Sequence, residues 1–419
     1  MARTYDIVLF GATGFTGKLA YEHLILKGPL SLKLAIAGRS RTKLEAVRDA
    51  YVAGLPEGPR KTKAQGIPIL IADSSDQASL DTVASSTKVI LSTVGPFLKF
   101  GKPLVDSCIC FGTDYIDSTG ETPFIRDLID QYHATATEKN IRIVPSCGFD
   151  SLPSDILAFL IADYFKNLGK ETTTIRGVVT DIKGGISGGT LHTIANIIET
   201  TSLAKLASGG PLSLVTNNSR PVAVTPTVLA FNKDLKRYET PWAMGAGNTA
   251  YVNRTFSLFE GGYGSKFQYT ESLGIFTNVV KAFFGGVLST IGVVLVILFP
   301  PTRYLIKRLV PQGTNTSSIE ELKKAHATLK AIGTANDGTK AIAKFESFVD
   351  IGYVGTGVML AESALCLALD DKELHGGNAE VVGSFGVKKG GVLTSVSAMG
   401  LVLVRRLKAA GFEIEIHGK

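Results

Sequence analysis

From residue 5 onward, short and mostly apolar runs alternate with stretches whose apolar positions recur every three or four residues. The runs 5–10, 33–37, 67–72, 88–94 and 141–145 read as buried strands, with 114–117 as a further one. Segments of helical length lie between them, at 16–27, 42–51, 77–86 and 122–139. Runs this rich in apolar residues suit strands covered on both faces, and their alternation with helices predicts an α/β fold with a doubly wound parallel sheet. The Gly-, Pro- and Lys-rich stretch 54–66 is expected as a loop insertion.

The pattern changes at Asp150. Ser151 and Pro153 suit the opening of a helix. A strand is expected over 174–182, then a glycine-rich turn over 184–189 and a helix over 190–207. The stretch 209–272 is irregular with β character. Strand-like 340–353 and helices over 357–370 and 394–410 complete a second, mixed α/β domain. The expected organisation is a doubly wound domain over 1–147 and the first part of a second domain over 148–275. A hydrophobic and basic segment follows over 276–312, and 313–419 completes the second domain.

The segment 282–302 carries no charged residue. As a helix it would be roughly 30 Å long, enough to cross a bilayer core. Lys281 precedes it, Pro300 and Pro301 break it, and Arg303, Lys307 and Arg308 follow, a basic continuation suited to a membrane surface. Attachment to the cytosolic face of a membrane or another lipid surface is therefore expected, with mitochondrial association left open. A buried core helix or an oligomer interface is the alternative. The strand pattern begins too early for a secretory signal.

Composition narrows the chemistry. The chain has 419 residues, of which 45% are hydrophobic and 19% charged, enough for two or three domains with real cores. Its net charge of +7 comes from scattered Lys and Arg, so no nucleic-acid partner is expected. The four cysteines, Cys108, Cys110, Cys147 and Cys366, form no Cys-x-x-Cys pair, and Cys108 and Cys110 are expected as buried packing. The six histidines are unclustered, so no metal site is expected. No Tyr-x-x-x-Lys occurs, which removes the usual short-chain dehydrogenase pair. Gly185 to Gly189 matches G-x-S-x-G, but glycines flanking a cofactor loop explain it as well as a hydrolase does.

The chemistry-bearing motif is Gly11-Ala12-Thr13-Gly14-Phe15-Thr16-Gly17, placed between the first strand and the first helix. Gly11 makes the tight turn, Gly14 admits a pyrophosphate and Gly17 allows close helix–sheet packing, while the helix N-terminus offers free N–H groups. After the second strand an NAD site would carry an acid. Here stand Arg39, Ser40, Arg41 and Lys43, so the expected cofactor is NADP(H), with Arg39 pairing the 2′-phosphate. Asp73 is expected near the adenine, and Thr93, Val94, Gly95 and Pro96 beneath the nicotinamide ribose.

The motifs GATGFTG, GRS, VGPF, GKPLVDSC, GTDYIDSTGE, VPSCGFDSLPSD, GGISGGT and GGVLTSVSAMGLVLVRRLKAAGFEIEI resemble the saccharopine dehydrogenase-like oxidoreductase family. Its bacterial relatives include trans-acting enoyl reductases of lipid biosynthesis. The resemblance implies an NADP-binding Rossmann domain over 1–147 with a mixed α/β substrate domain whose C-terminal helix returns to the first, and reduction of a carrier-bound or lipid-linked double bond in the enoyl reductase branch. It also implies lipid-droplet or membrane association in some eukaryotic members. No Arg/Lys constellation suits the carboxylates of saccharopine, so activity in the lysine pathway is not expected.

The expected reaction is NADP(H)-dependent reduction of a hydrophobic or lipid-linked enoyl or carbonyl substrate held between the domains. The proton-donor candidates are Cys147, Asp150, Ser151 and His192. A non-catalytic NADP(H)-binding protein at a lipid surface and a soluble amino-acid dehydrogenase are the competing readings. A homo-oligomer is left open.

Overall fold

The computed structural model describes residues 3–183, 210–216, 221–222, 227–288, 290–292, 299, 301 and 318–419. The expected turn 184–189, the helix 190–207 with His192, and most of 293–317 lie outside these residues.

The first third of the chain lays down six strands: β1 (Tyr5–Phe10), β2 (Leu34–Gly38), β3 (Ile69–Ile71), β4 (Thr87–Ser92), β5 (Asp114–Asp117) and β6 (Arg142–Val144). The chain then builds β7 (Thr172–Lys183), β8 (Ala230–Asn232), β9 (Arg237–Thr240), β10 (Gln268–Phe276), β11 (His326–Ala335) and β12 (Lys340–Ser347) into a second sheet. It returns to add β13 (Gly391–Val392) beside β6 and ends as β14 (Glu413–Gly418) beside β12. The first sheet is parallel, in the order β3-β2-β1-β4-β5-β6-β13. The second runs β14-β12-β11-β7-β10-β9-β8 and is antiparallel except between β7 and β10.

Alternation along β1 feeds two cores. Ile7 and Leu9 face a core that continues through the helix Thr356–Leu369 to Phe345 and Val179 of the second sheet. Val8 and Phe10 face a second core with Leu104, Tyr115 and Leu128. The helix Thr356–Leu369 packs on the helix Phe15–Lys27 so closely that a Cβ at Gly357 would stand 2.7 Å from Leu19 Cβ. Across the same contact the His23 ring meets the Glu362 carboxylate at 2.7 Å, both buried.

Several expectations need correction. The stretch 54–66 contains a short helix, Pro59–Gln65, with its proline in the first turn where no N–H is needed. An unanticipated helix, Phe97–Phe111, joins β4 to β5 despite Pro103 in its interior. It buries Cys108 but turns Cys110 to solvent, so the two cysteines do not share a packing role. The supposedly irregular stretch 209–272 contains the helix Gly245–Leu258. That helix is rich in Gly, Asn and Thr, poor helix formers, and burial of most of its residues compensates for weak propensity. The strand expected over 340–353 stops at Ser347, because the Asp350 carboxylate accepts the amides of Tyr353 (2.6 Å) and Val354 (3.4 Å) and starts a helical turn, Ile351–Gly355.

Among the described residues one helix is long and apolar enough to cross a bilayer, Ile351–Leu369, and most of it is buried inside the protein. The segment expected at a membrane begins as the helical turn Val279–Ala282 and continues as a wider turn, Phe283–Leu288. There Ala282, Gly286 and Val287 are buried while Phe283, Phe284 and Leu288 are exposed.

Candidate dinucleotide and substrate site

The strand order reverses between β1 and β4, and the loops after these two strands meet there. Gly11, at φ +100°, has no room for a side chain: a Cβ would lie 2.7 Å from Thr93 Oγ1 and from Val94 Cγ2. A Cβ on Gly17 would lie 2.2 Å from the Gly11 carbonyl oxygen. Gly14 is different. It meets only that same oxygen, at 3.4 Å, and is exposed at the helix start with no side-chain cap. Thr93 ties the two loops together, its amide donating to Phe10 O (2.9 Å) and its hydroxyl to Gly11 O (3.1 Å). Ala12 is buried, Thr13 is exposed, and Phe15 and Thr16 are half-buried. The first-turn amides of the helix Phe15–Lys27 have no intrahelical acceptor, which leaves them for an anion. This cradle, open at Gly14 and closed at Gly11 and Gly17, fits a dinucleotide pyrophosphate.

At the end of β2, Arg39, Arg41 and Lys43 are all exposed around the start of the helix Arg41–Gly54. Ser40 caps that helix, accepting the Lys43 amide at 3.4 Å, and its first turn contains no acid. Asp73 lies close enough to feel the charge of Arg39. Its Oδ1 accepts the Ser75 amide (2.9 Å) and hydroxyl (2.7 Å), and these bonds, with a smaller contribution from Arg39, hold the carboxyl below its usual range. Asp73 therefore organises its own loop.

The loops after β4, β5 and β6 are bound together by buried carboxylates. Glu121 accepts the amides of Phe97 (2.8 Å) and Leu98 (2.9 Å), which fixes the chain just after Gly95 and Pro96; burial pushes its carboxyl up. Asp117 accepts the amides of Thr119 (2.9 Å) and Ser146 (3.0 Å) on one oxygen and the Tyr115 hydroxyl (2.8 Å) on the other. Burial pushes Asp117 up to about 7. Ser146 sits at φ +60° and donates to Thr119 O at 2.6 Å, so the β5 and β6 loops move as one.

The proton-donor candidates are not equivalent. Cys147 is fully buried, donates to Val144 O at 3.3 Å, and burial pushes its thiol well up, which makes it packing. The Ser151 hydroxyl is also buried, and it donates to the Asp150 carbonyl and to Asn248 Oδ1 (3.4 Å). Asn248 in turn donates to Glu271 Oε1 at 2.7 Å, linking this loop to β10. His192 lies outside the described residues. Asp150 stands apart: its half-buried carboxylate has no hydrogen-bond partner among the described residues, and desolvation alone pushes it up to about 6. A Cβ at Gly120 would come within 2.9 Å of Asp150 Oδ2, so that glycine makes room for the acid.

The second domain closes on the same place. Thr356 Oγ1 accepts the Phe149 amide at 3.1 Å, and the Tyr353 ring meets Phe15 edge-on at 4.9 Å. Sequence reasoning missed Glu121, Asp117 and Tyr353. The motif stretch GTDYIDSTGE contains both acids but carries no signal that they face inward.

A Rossmann sheet with a glycine turn at its switch point, closed by a second α/β domain, defines a two-domain dinucleotide-binding protein. No family model matches the chain. It is 33% identical over 429 residues to a trans-acting enoyl reductase of Mycobacterium tuberculosis (strain ATCC 25618 / H37Rv), covering 98% of this chain and 97% of the relative. The trans-acting enoyl reductase of Mycobacterium ulcerans (strain Agy99) is 32% identical over 430 residues, with the same coverage. Among solved structures, the apo saccharopine dehydrogenase (L-Glu forming) of Saccharomyces cerevisiae superposes with a TM-score of 0.52 at 14% identity, covering 99% of this chain and 100% of that one. That likeness is one of fold. The chain belongs to the saccharopine dehydrogenase-like oxidoreductase family, together with the trans-acting enoyl reductases, and is an oxidoreductase.

Proposed function

We propose that the protein is an NADP(H)-dependent reductase of a hydrophobic, lipid-linked enoyl or carbonyl group, with Asp150 as its acid. The observation that carries this reading is the unpartnered Asp150 carboxyl, held near neutrality at the carboxyl edge of the sheet beside Gly120. A bound nicotinamide supplies the hydride. The chain's own residues do the rest. The turn from Gly11 to Gly17 seats the pyrophosphate, Arg39 with Ser40, Arg41 and Lys43 meets the 2′-phosphate, and Thr93 to Pro96 form the floor beneath the ribose. Asp150 gives its proton to the atom adjacent to the one that is reduced and becomes the carboxylate. The relatives' name, trans-acting enoyl reductase, supports the enoyl class of substrate.

The reading includes a lipid surface. Phe231, Val280, Phe283 and Phe284 are exposed along the edge where β8, β9 and the turn Val279–Ala282 meet, and Lys233, Lys236 and Lys281 are exposed beside them. Large exposed apolar side chains flanked by lysines suit an anionic leaflet.

The test is a titration with NADPH and with NADH, repeated on Arg39→Ala, followed by turnover of long-chain enoyl thioesters. Tight NADPH binding that drops by about ten-fold or more in the variant, with NADH unchanged, supports the assignment. Cofactor binding without turnover of any enoyl or carbonyl lipid favours a non-catalytic, cofactor-binding role at a lipid surface. Binding of neither cofactor overturns the reading.

A further inference from the structure

We propose that Tyr353, from the second domain, is a dinucleotide-binding residue whose hydroxyl donates to the pyrophosphate seated at the glycine turn. The inference rests on the cofactor reading above. Phe15 lies between Gly14 and Gly17 in the first turn of the helix that receives the phosphates. The Tyr353 ring meets the Phe15 ring edge-on, with centroids 4.9 Å apart and planes at 80°. Tyr353 is half-buried and its hydroxyl has no partner among the described residues. Packing against Phe15 needs only the ring, whereas a tyrosine presents an apolar body to its neighbour and a donor to whatever lies beyond. Phe15 is itself part of the anion cradle, directly after Gly14 in the first turn.

Tyr353 is also held firmly in place. Asp350 Oδ2 accepts its amide at 2.6 Å, and Asp350 O accepts the Gly355 amide at 2.7 Å. Downstream, Thr356 Oγ1 accepts the Phe149 amide and Gly357 abuts Leu19. The segment is therefore fastened to the first domain at Phe149 and at Leu19, and little ordering cost accompanies a contact made by Tyr353.

The experiment titrates wild type, Tyr353→Phe and Tyr353→Ala with NADPH and with NADH. Binding is read by energy transfer from Trp242, the only tryptophan in the chain, and by calorimetry, with Tm as the folding control. The pyrophosphate is common to both cofactors, so Tyr353→Phe should weaken both on the order of ten-fold, by equal factors and with little change in Tm. Arg39→Ala should weaken NADPH alone. If wild type binds cofactor and Tyr353→Phe binds it equally well, the hydroxyl has no such role and the proposal falls while the reductase reading stands. If wild type binds neither cofactor, both fall. Should Tyr353→Ala fail to fold, Tyr353→Phe still decides.

Discussion

The carboxylate of Glu121 holds the Phe97 amide at 2.8 Å, and with its other oxygen the Leu98 amide at 2.9 Å, across 24 residues of sequence. A helix N-terminus leaves its first amides without partners, and a carboxylate there is favoured by both hydrogen bonding and the helix dipole. Glu121 acts from the β5 loop on a helix that has no side-chain cap of its own, at the loop expected beneath the nicotinamide.

Glu121→Ala should therefore lower stability by about 1 kcal/mol, as the loss of a helix cap does. It should also weaken cofactor binding, because the Gly95-Pro96 loop loses its anchor. Glu121→Gln keeps one acceptor and should fall between the two. Chemical denaturation and dinucleotide titration on the same three proteins check this, and equal affinities across the series would count against a role in the site.

Asp150→Asn should lower kcat by roughly 100-fold or more while leaving cofactor affinity intact, since only the proton is lost. An acid catalyst must be protonated, so wild-type kcat should be highest below about 6 and decline as pH rises through the value to which desolvation pushes Asp150. The variant's profile should lack that decline. A wild-type profile that instead rises through this range would remove Asp150 from the role of acid.

Asp155 makes a prediction about stability. It is fully buried, accepts the Thr255 hydroxyl on one oxygen and the Val396 amide (3.2 Å) on the other, and burial pushes it up to about 7. Its folded pKa lies above its unfolded one, so its stabilisation is complete below the ordinary carboxylate value and is lost as pH rises through about 7. Asp117, raised to about 7 as well, acts in the same direction. His133, lowered to about 4 by burial and by Arg254, acts oppositely between that value and its ordinary one. Tm should fall between about pH 4 and about pH 7, and Asp155→Asn should flatten the slope. An unchanged slope in the variant would show that Asp155 titrates normally.

The exposed apolar edge should bind lipid. Wild-type protein should sediment with vesicles containing anionic phospholipid, less so at high salt, and Val280→Ser with Phe284→Ser should release it without changing Tm. Both side chains are well exposed, at 59% and 63%, so their loss leaves the core untouched. Sedimentation that is absent in wild type or identical in the double variant would assign this edge another use.

Much of the first domain was legible locally. The helix expected over 77–86 is observed with those bounds, and the strands at 5–10 and 114–117 likewise. A strand buried on both faces is an apolar run whatever surrounds it, so its signal is carried by the residues themselves. The helices Phe97–Phe111 and Gly245–Leu258 were not legible, because prolines, glycines and asparagines hide a helical period that packing then enforces. Strand β13 is two residues long, and only its neighbour β6 makes it a strand.

The candidate site divides along the same line. Residues 11–17 announce a candidate phosphate-binding turn on their own, because glycines spaced this way between a strand and a helix are a local pattern, and the absence of an acid after β2 is a local fact; the crowding of Gly11 by Thr93 and Val94 is visible only in the fold. Which of Cys147, Asp150 and Ser151 keeps a free, near-neutral acid could be decided only by the tertiary structure. A carboxylate's pKa depends on how completely water is excluded and on which donors reach it; distant loops desolvate Asp150 and, among the described residues, send it no donor, whereas the Ser151 hydroxyl is taken up by Asn248 and the Cys147 thiol is sealed in packing. Glu121 and Tyr353 join the candidate site for the same reason: hydrogen bonding and ring contact act over a few ångströms, and only folding brings residues 97 and 121, or 15 and 353, that close together.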